Sequence, residues 1–284
     1  MPVVVVTDST ACLPPELAAE RGIVVVPLQV VIGATVYDEG AGGATPEMVA
    51  AALREWKPVS TSRPSPAALL EVYEKAARDG ATEIVSVHLS GEMSGTFESA
   101  QLAARDASVR VVPVDTRQVG VATGFAVLAA ADVLDAGGTA DEAADAARER
   151  AEVTSSLFYV DTLEYLRRGG RIGAAAALFG GALAVKPLLQ IKDGTVASLE
   201  RVRTSVRALA RLEELAVQAA GEGQVDVCVA HLASAERAGA LAEKLAARLE
   251  PNLGGREVWC GELGAVLGAH VGPGMIAVCV APRR

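Results

Sequence analysis

Three short stretches of the chain combine hydroxyl groups, glycine and one histidine in ways that suit the binding of an anion. The first, "TSRPSP", begins at Thr61 and places hydroxyls beside two prolines. The second, "SGEMSGT", contains Ser94 and Gly95, and the third, "GAHVGPG", contains His270. Hydroxyls, free backbone N–H groups and an imidazole can all donate hydrogen bonds to a carboxylate or a phosphate. These stretches therefore predict a site for an anionic group.

The prolines of the first stretch predict a stiff, extended loop that leads into a helix. Pro64 and Pro66 each favour extended backbone at the residue before them, and Ser65 can cap a helix that has Pro66 at its first position. Thr61 and Ser62 then lie just outside the helix, where their hydroxyls are free to meet a ligand. The alternative, that all of these residues only form the cap and the turn, stays open from this loop alone.

The second and third stretches also lie where predicted elements begin or end. A strand at Glu83 to His88 leads into the serine- and glycine-rich turn, and a helix begins at Ser94 or Gly95. Free N–H groups and the helix dipole point outward from such a place, which suits an anion. In the third stretch a tight turn carries His270 into the last strand. A lone histidine in a turn is more often structural, so its role stays open.

The elements that must position these residues alternate along the first half of the chain, which predicts an α/β fold with a mostly parallel sheet. The predicted strands of this half are Val3 to Val6, Ile23 to Val31, Glu83 to His88 and Val109 to Val114. The second half differs, because a hairpin around Asp193 and Gly194 and the strands after it predict an α+β unit. We therefore predict an N-terminal α/β domain at 1–153 and a C-terminal α+β domain at 154–284.

Composition and motifs exclude several classes of protein. The formal charge of −9 on 284 residues leaves no broad basic surface for a nucleic acid. The longest uncharged runs are shorter than the roughly 20 residues of a membrane span, and no signal peptide pattern follows Met1, so we expect a cytoplasmic protein. The cysteines and histidines lack metal-ligand spacing, and no dinucleotide or Walker motif occurs. We expect no metal, no disulfide and no cofactor.

Seven motifs, in order along nearly the whole chain, resemble those of the DegV family of bacterial fatty-acid-binding proteins. They are "TDST", "VVPLQV" followed by "YDEG", "TSRPSP", "SGEMSGTFESA", "DTLEYLRRGGRI", "KPLL" and "GAHVGPGM". The resemblance implies a two-domain DegV-like fold with an N-terminal Rossmann-like sheet. It also implies one long-chain fatty acid, such as hexadecanoate, buried in a tunnel between the two domains.

The same resemblance implies which residues hold the ligand and how the protein uses it. The carboxylate is expected to be bound by hydroxyls and a backbone N–H, those of Thr61, Ser62, Ser94 and Gly95. His270 is expected to close the polar end. The family presents the bound acid to a separate ATP-dependent fatty acid kinase, which makes an acyl phosphate for phospholipid synthesis. This chain is then expected to be a carrier without chemistry of its own, with at most transient membrane contact.

Three further features of the sequence bear on the ligand site. Arg171, after a predicted helix stop at Gly169 and Gly170, either supports the head-group end or binds carbonyls of the preceding helix. The run "IGAAAALFGGALAV", residues 172–185, either lines the tunnel or packs as a tight helix at the domain junction. Met275 stands where the family has a small residue, so it is expected to reshape the tunnel wall.

Two alternative functions follow from the residues themselves. A serine hydrolase acting on acyl esters would use a hydroxyl, an imidazole and a carboxylate, drawn from Ser62, Ser94, His270, Asp8 and Asp115. No G-x-S-x-G motif supports this alternative. A protein that holds its substrate covalently on a histidine would use His231, which the sequence places at a strand end.

A local basic segment stands out in this acidic protein. From Lys192 to Arg211 the chain has five basic and two acidic residues. Arg207 and Arg211 lie four residues apart on one predicted helix face, so part of this charge is expected to form a patch that speeds docking to a kinase or an anionic membrane. The alternative is a solvated face that is paired with nearby acids such as Glu213 and Glu214.

Overall fold

Strands and helices alternate in the computed structural model, which describes residues 2–40, 42–178 and 186–283. The strands of these residues are β1 (Val3–Asp8), β2 (Val24–Val26), β3 (Gln29–Ile32), β4 (Thr35–Asp38), β5 (Val59–Ser62), β6 (Glu83–His88), β7 (Arg110–Asp115), β8 (Ser155–Tyr159), β9 (Lys186–Lys192), β10 (Thr195–Val202), β11 (Val225–His231), β12 (Trp259–Glu262) and β13 (Ile276–Pro282). The α-helices are α1 (Pro15–Glu20), α2 (Pro46–Arg54), α3 (Pro66–Arg78), α4 (Thr96–Asp106), α5 (Val121–Asp135), α6 (Ala140–Val153), α7 (Glu164–Arg168), α8 (Ser205–Ala220), α9 (Ala235–Arg248), α10 (Glu250–Leu253) and α11 (Ala265–Val271).

The first sheet is parallel, with the strand order β2-β1-β6-β7. Its strands are almost continuously apolar because helices cover both faces. On one face β1 and β6 pack against the alanines of α5 and α6, and on the other face they pack against α3 and α4. The parallel α/β arrangement predicted for the first half is therefore confirmed.

The second sheet is mixed, with the strand order β10-β9-β8-β13-β11-β12, and only its β11–β12 pair is parallel. Helices α8 and α9 cover one face, and the other face packs against the start of α5. Asp193 and Gly194 both have positive φ, 51° and 80°, so the β9–β10 hairpin predicted at this dipeptide is confirmed. The α+β character of the second half is confirmed as well.

A third, antiparallel sheet of order β4-β3-β5 was not expected from the sequence. The single strand predicted from Ile23 to Val31 is wrong, because it divides into β2 and β3, which belong to different sheets. Pro27 lies between the two and has no N–H group to continue a strand ladder. The predicted loop at Thr61 and Ser62 is wrong too, because both residues lie in β5 and pair with β3.

Two predictions near the last strand also need correction. His270 lies in α11 and not in the tight turn, which is formed by Gly272 and Gly274 at φ values of 76° and 92°. The helical pattern of α11 was hidden because its buried face consists of small residues that pack on β3 and α2. The strand expected at Glu257 to Cys260 is β12, two residues further along the chain.

The predicted domain boundary between residues 153 and 154 also separates the strands of the second sheet from those of the other two sheets. All strands of the first and third sheets precede Val153, and all strands of the second sheet follow it. We therefore keep the two-domain boundary as a proposal. No helix among the described residues combines the length and the apolar composition that crossing a bilayer requires.

The small-residue run at 172–185 is described only as far as residue 178. Gly173–Leu178 forms a short 3-10 helix against β10, where a side chain on Gly173 would come within 2.4 Å of the Val196 carbonyl oxygen. Among residues 173–177 only Ala175 is buried, and none of them lines the large cavity between the second sheet and the elements of the first half, so this part supports neither a tunnel wall nor a tightly packed helix. The rest of the run, 179–185, lies outside the described residues.

Candidate functional site

A cavity of about 420 Å³ lies between the second sheet and the elements of the first half. Its largest wall is one face of that sheet, and strand alternation explains the composition of this wall. Cys228 and Ala230 of β11 and Ala277 and Cys279 of β13 point into the cavity. The valines between them point to the opposite face, under α8 and α9. The cavity volume falls in the range that small-molecule sites occupy in proteins.

All of the residues that the sequence predicted for ligand binding line this one cavity and contribute its polar groups. They are Thr61, Ser62, Ser94, Gly95, Arg171 and His270. They come from four separate parts of the chain, namely β5, the turn before α4, the segment after α7, and α11. Met275 also lines the cavity, as expected for a residue of its wall. The contact of each residue with a ligand remains a prediction.

Thr61 and His270 meet at the polar end of the cavity. Oγ1 of Thr61 lies 2.9 Å from Nε2 of His270, and the two atoms share a hydrogen bond. The other ring nitrogen, Nδ1, is buried and has no hydrogen-bond partner among the described residues. Burial, and then the positive charge of Arg171, lower the pKa of His270 to about 4. The imidazole is therefore neutral at pH 7.

Ser94 and Gly95 form the turn that starts α4. Oγ of Ser94 accepts a hydrogen bond from the Thr96 N–H at 3.3 Å and lies 2.9 Å from the Thr96 hydroxyl oxygen. Gly95 stands at the N-cap and has no side chain to cap the helix. A Cβ on Gly95 would fall 1.3 Å from a guanidinium nitrogen of Arg63, so a larger residue here would displace that exposed side chain. The first N–H groups of α4 thus stay close to the cavity.

Arg63 and Ser62 form the exposed rim of this polar end. The Arg63 guanidinium crosses Gly95 and pairs with Glu98 at 3.1 Å. Ser62 is exposed, and its hydroxyl donates a long hydrogen bond of 3.3 Å to the Arg63 carbonyl oxygen. The polar end of the cavity therefore opens to solvent beside Ser62.

Arg171 brings a half-buried positive charge to the same end. Its Nη1 donates to the Gly169 carbonyl oxygen at 2.6 Å, and its Nε donates to the Met93 carbonyl oxygen at 3.1 Å. The predicted helix stop is confirmed, because α7 ends at Arg168 and Gly170 has a φ of 71°. The carbonyl-binding role of Arg171 is thus observed. In the described part of the chain this guanidinium has no acidic partner, so its charge is not neutralised.

A buried hydrogen-bond network that was not predicted from the sequence lies next to the cavity-lining Leu89. His88 Nδ1 lies 2.8 Å from Asp8 Oδ2, and His88 Nε2 lies 2.8 Å from the hydroxyl oxygen of Ser86, which contacts the Tyr73 hydroxyl at 2.7 Å. Alternation in β6 places Ser86 and His88 on one face, beside the end of β1, and this signal was available in the sequence. The network resembles a catalytic triad, but Asp8, Ser86 and His88 are each 0% exposed.

The contacts of Asp8 and Asp115 do not support the triad that the hydrolase alternative predicted. Asp8 binds His88 and also accepts a hydrogen bond from the Leu89 N–H, so it holds the turn after β6. Asp115 accepts from the backbone N–H groups of Gly91 and Arg117. Within the described ranges neither acid contacts His270, whose hydrogen-bond partner is a threonine. No cluster of three or more metal-binding side chains occurs there either.

His231 and the charged side chains of the basic segment do not line the cavity. His231 ends β11, as predicted, and its Nδ1 accepts from the Ser234 N–H at 3.4 Å. Arg211 pairs with Glu200 at 2.8 Å and with Glu214 at 2.7 Å. The predicted Arg207–Arg211 patch is therefore wrong for Arg211, whose charge is neutralised within the molecule. Arg207 is exposed and keeps its charge available.

Comparison with known proteins gives consistent matches over the whole length of the chain. A family model described as "Uncharacterised protein, DegV family" matches residues 2–283. A DegV domain-containing protein of Streptomyces coelicolor is 53% identical over 281 residues, which cover 99% of both chains. The fold agrees with that of a fatty-acid-binding DegV family protein from Thermus thermophilus, at 33% identity, a TM-score of 0.93 and 100% coverage of both chains. DegV of Bacillus subtilis, a fatty acid binding protein, gives 30% identity, a TM-score of 0.91 and the same coverage.

These matches agree with the seven motifs that the sequence carries. The motif residues that the sequence analysis singled out, among them Thr61, Ser94 and His270, surround a single cavity in a fold that solved DegV structures share. With the family model matching 2–283 and a relative of 53% identity along 99% of each chain, the chain belongs to the DegV family.

Proposed function

We propose that the chain binds one long-chain fatty acid in the cavity between its two halves and presents the carboxylate to a separate kinase. One observation carries the proposal. The cavity has a wall of aliphatic and thiol side chains, and its polar groups gather at one end, around Thr61, Arg171 and His270. An amphiphile with a long apolar tail and a single anionic head matches this division. The related proteins from Thermus thermophilus and Bacillus subtilis bind fatty acids.

The head-group end suits a carboxylate because it offers donors and one charge without an acid to compete. Arg171 donates two hydrogen bonds to carbonyl oxygens and has no acidic partner among the described residues. Its positive charge can therefore attract an anion that binds nearby. The hydroxyls of Thr61 and Ser94 can each donate to a carboxylate oxygen. The neutral His270 adds a hydrogen bond but no charge. The carboxylate is then oriented, and one of its oxygens stays free to accept a phosphoryl group.

The tail supplies most of the affinity. At about 0.8 kcal/mol for each buried CH₂, the fourteen methylenes of a sixteen-carbon acid contribute on the order of 11 kcal/mol. Lost translational and rotational freedom offsets about half of this gain or more. The head-group contacts are smaller, because a hydrogen bond to a charged group contributes about 1.5–3 kcal/mol. We therefore expect head-group variants to lose orientation before they lose the ligand.

The presentation step rests on the resemblance to the family and on the exposed rim of the polar end. Ser62 and Arg63 are exposed beside the head-group residues, so a partner protein can reach a carboxylate placed there. The sequence has no Walker motif or dinucleotide fingerprint, so the partner supplies the ATP. The protein then acts as a carrier in the formation of acyl phosphate. Release of free acid from acyl esters by the purified chain would contradict the carrier role and support the hydrolase alternative.

Organic extraction of the purified protein, followed by lipid mass spectrometry, tests the binding step. We expect about one long-chain fatty acid per chain. Ala277→Phe places a ring inside the cavity and should reduce this content severalfold. Ala197→Phe is the matched control, because Ala197 follows the cavity-lining Val196 in β10 and points to the other face of the sheet. An extract without acyl chains, even after incubation of the protein with free fatty acid, would overturn the proposal.

A further inference from the structure

The helix that carries His270 does not cap its own N-terminus. Helix α11 has seven residues, and an isolated helix of this length is not stable in water. Its N-cap residue is Gly264, which has no side chain to accept hydrogen bonds from the first N–H groups. The stability and the exact placement of α11 therefore depend on groups from elsewhere in the molecule.

Glu39, which follows β4, supplies the missing acceptor from 227 residues away. Its Oε1 accepts a hydrogen bond from the Val266 N–H at 2.7 Å. A carboxylate at this position also interacts favourably with the helix dipole. The contact needs glycine at 264, because a Cβ there would lie 2.5 Å from Oε1 of Glu39. Glu39 and Gly264 thus form a matched pair that brings the end of β4 against the start of α11.

The Glu39 carboxylate is itself held in place. The Glu39 N–H donates to the Leu28 carbonyl oxygen at 2.8 Å, and the Leu28 N–H donates to the Ser9 hydroxyl at 2.9 Å. Burial raises the pKa of Glu39, whereas the hydrogen bond from the Val266 N–H opposes that rise. Leu28 packs in the same cluster as the buried face of α11. The acceptor therefore has a fixed position relative to the helix.

We propose that Glu39 is a positioning residue for the head-group site, which it serves by fixing α11 so that His270 stays against Thr61. The small buried side chains of α11, including Ala265 and Ala269, leave few features that oppose rotation or sliding of the helix. A shift of one residue turns a helix by about 100° and moves it by about 1.5 Å. Such a shift separates Nε2 of His270 from the Thr61 hydroxyl. The importance of this pair for the carboxylate rests on the proposed function.

Two substitutions at one position separate the hydrogen bond of Glu39 from its charge. Glu39→Gln keeps an oxygen acceptor for the Val266 N–H, whereas Glu39→Ala removes the acceptor. The main readout is the imidazole nitrogen chemical shifts of His270 by NMR, which report its hydrogen bond with Thr61 in the absence of any ligand or kinase. His270→Gln assigns these signals among the three histidines. We expect shifted His270 signals in the Ala variant and signals close to wild type in the Gln variant.

The functional readout is the rate at which the loaded protein is phosphorylated by a fatty acid kinase. Glu39→Ala should lower this rate about tenfold at unchanged fatty-acid content, and Glu39→Gln should largely restore it. Gly264→Ala provides an independent test if the Ala variant folds poorly, since it crowds the carboxylate while keeping Glu39. It should give the same change in the His270 signals. Gly239→Ala in α9, where a Cβ meets nothing within 4 Å, is its control.

The outcomes separate this inference from the proposed function. Unchanged His270 signals in both Glu39→Ala and Gly264→Ala would overturn the positioning role, whatever the protein binds. The His270 signals could change as expected while His270→Gln is phosphorylated at the wild-type rate. Glu39 would then still position His270, but the proposed role of His270 in binding the carboxylate would be wrong. If Glu39→Gln behaves like Glu39→Ala, the charge of Glu39 and not its hydrogen bond with the Val266 N–H positions α11. Capping by a hydrogen bond would then be the wrong explanation.

Discussion

The imidazole of His270 combines three properties that few side chains share. It is largely buried, it keeps one hydrogen-bond contact with Thr61, and its Nδ1 has no partner in the described part of the chain. The nearby Arg171 adds a positive charge that opposes protonation of the ring. The proposed role in orienting the ligand and the predicted acid sensitivity therefore concern the same residue.

The lowered pKa of His270 predicts a loss of stability in acid. The unfolded chain takes up this proton near pH 6.5, whereas the folded chain does so only near pH 4. The unfolded state thus binds more protons between these values, and the free energy of unfolding falls as the pH falls, by up to about 3 kcal/mol. Urea unfolding of ligand-free protein at pH 7 and pH 4.5 measures this loss. His270→Gln should lose less stability between these two pH values. An equal loss in both proteins would contradict the prediction.

The hydroxyls of Thr61 and Ser94 should matter more for phosphorylation than for binding. We expect the double variant Thr61→Ala, Ser94→Ala to keep most of its fatty acid but to be phosphorylated at least tenfold more slowly. Each lost hydrogen bond costs about 0.5–1.5 kcal/mol, or 1.5–3 kcal/mol with a charged partner, which is less than the tail contributes. Kinase assays on loaded protein check this. Ser60→Ala is the control, because Ser60 is next to Thr61 but does not line the cavity that contains Thr61 and Ser94.

At the level of elements, local patterns predicted some features and missed those that depend on distant partners. The β9–β10 hairpin follows from the turn preference of Asp193–Gly194, which is a property of two residues. The strand β5 became visible only through its pairing with β3, and the two prolines after it suggested a loop instead. Helix α11 is short, flanked by the glycines at positions 264 and 272, and capped by Glu39, so no local pattern identified it.

The tip of the β9–β10 hairpin is docked on the turn after β6, which predicts a sensitive glycine. The buried Ser90 hydroxyl donates to the Gly194 carbonyl oxygen at 2.7 Å, and a Cβ on Gly194 would lie 2.6 Å from that hydroxyl. Gly194→Ala should destabilise the protein by about 1 kcal/mol through its positive φ, and further by displacing Ser90. Chemical denaturation measures the total loss in the free energy of unfolding.

Gly22→Ala separates the two contributions. Gly22 also has a positive φ, 61°, but a Cβ there meets nothing within 4 Å. We expect the Gly194 variant to be the less stable of the two. Equal losses would mean that the contact with Ser90 contributes nothing.

At the scale of the whole molecule, charge is distributed unevenly around an acidic chain. The net charge is −9, yet Arg201, Arg203 and Arg207 are exposed near the start of α8. Arg211 is paired with two glutamates and so does not add to this surface. A basic surface of this kind can steer an acidic partner toward the protein, and the effect weakens as salt screens the charges.

Reversal of the exposed charges should slow docking without emptying the cavity. The double variant Arg203→Glu, Arg207→Glu is expected to keep its fatty-acid content and to be phosphorylated severalfold more slowly at low salt, with a smaller difference at high salt. Arg211→Glu is not a suitable control, because it breaks two internal ion pairs. Reversal of Arg105, an exposed residue at the end of α4, serves instead. Equal rates for all variants at low ionic strength would show that these arginines do not guide the kinase.

The division of the proposed head-group site among four chain segments has a genetic consequence. A recombination event between the genes of two relatives, with its crossover anywhere from codon 96 to codon 170, joins Thr61 and Ser94 of one parent to Arg171 and His270 of the other. The Thr61–His270 contact and the Glu39–Val266 contact then each unite residues with different ancestries. Lineages of such proteins are therefore expected to inherit both halves together, and hybrid genes should reveal which pairs of residues have become incompatible.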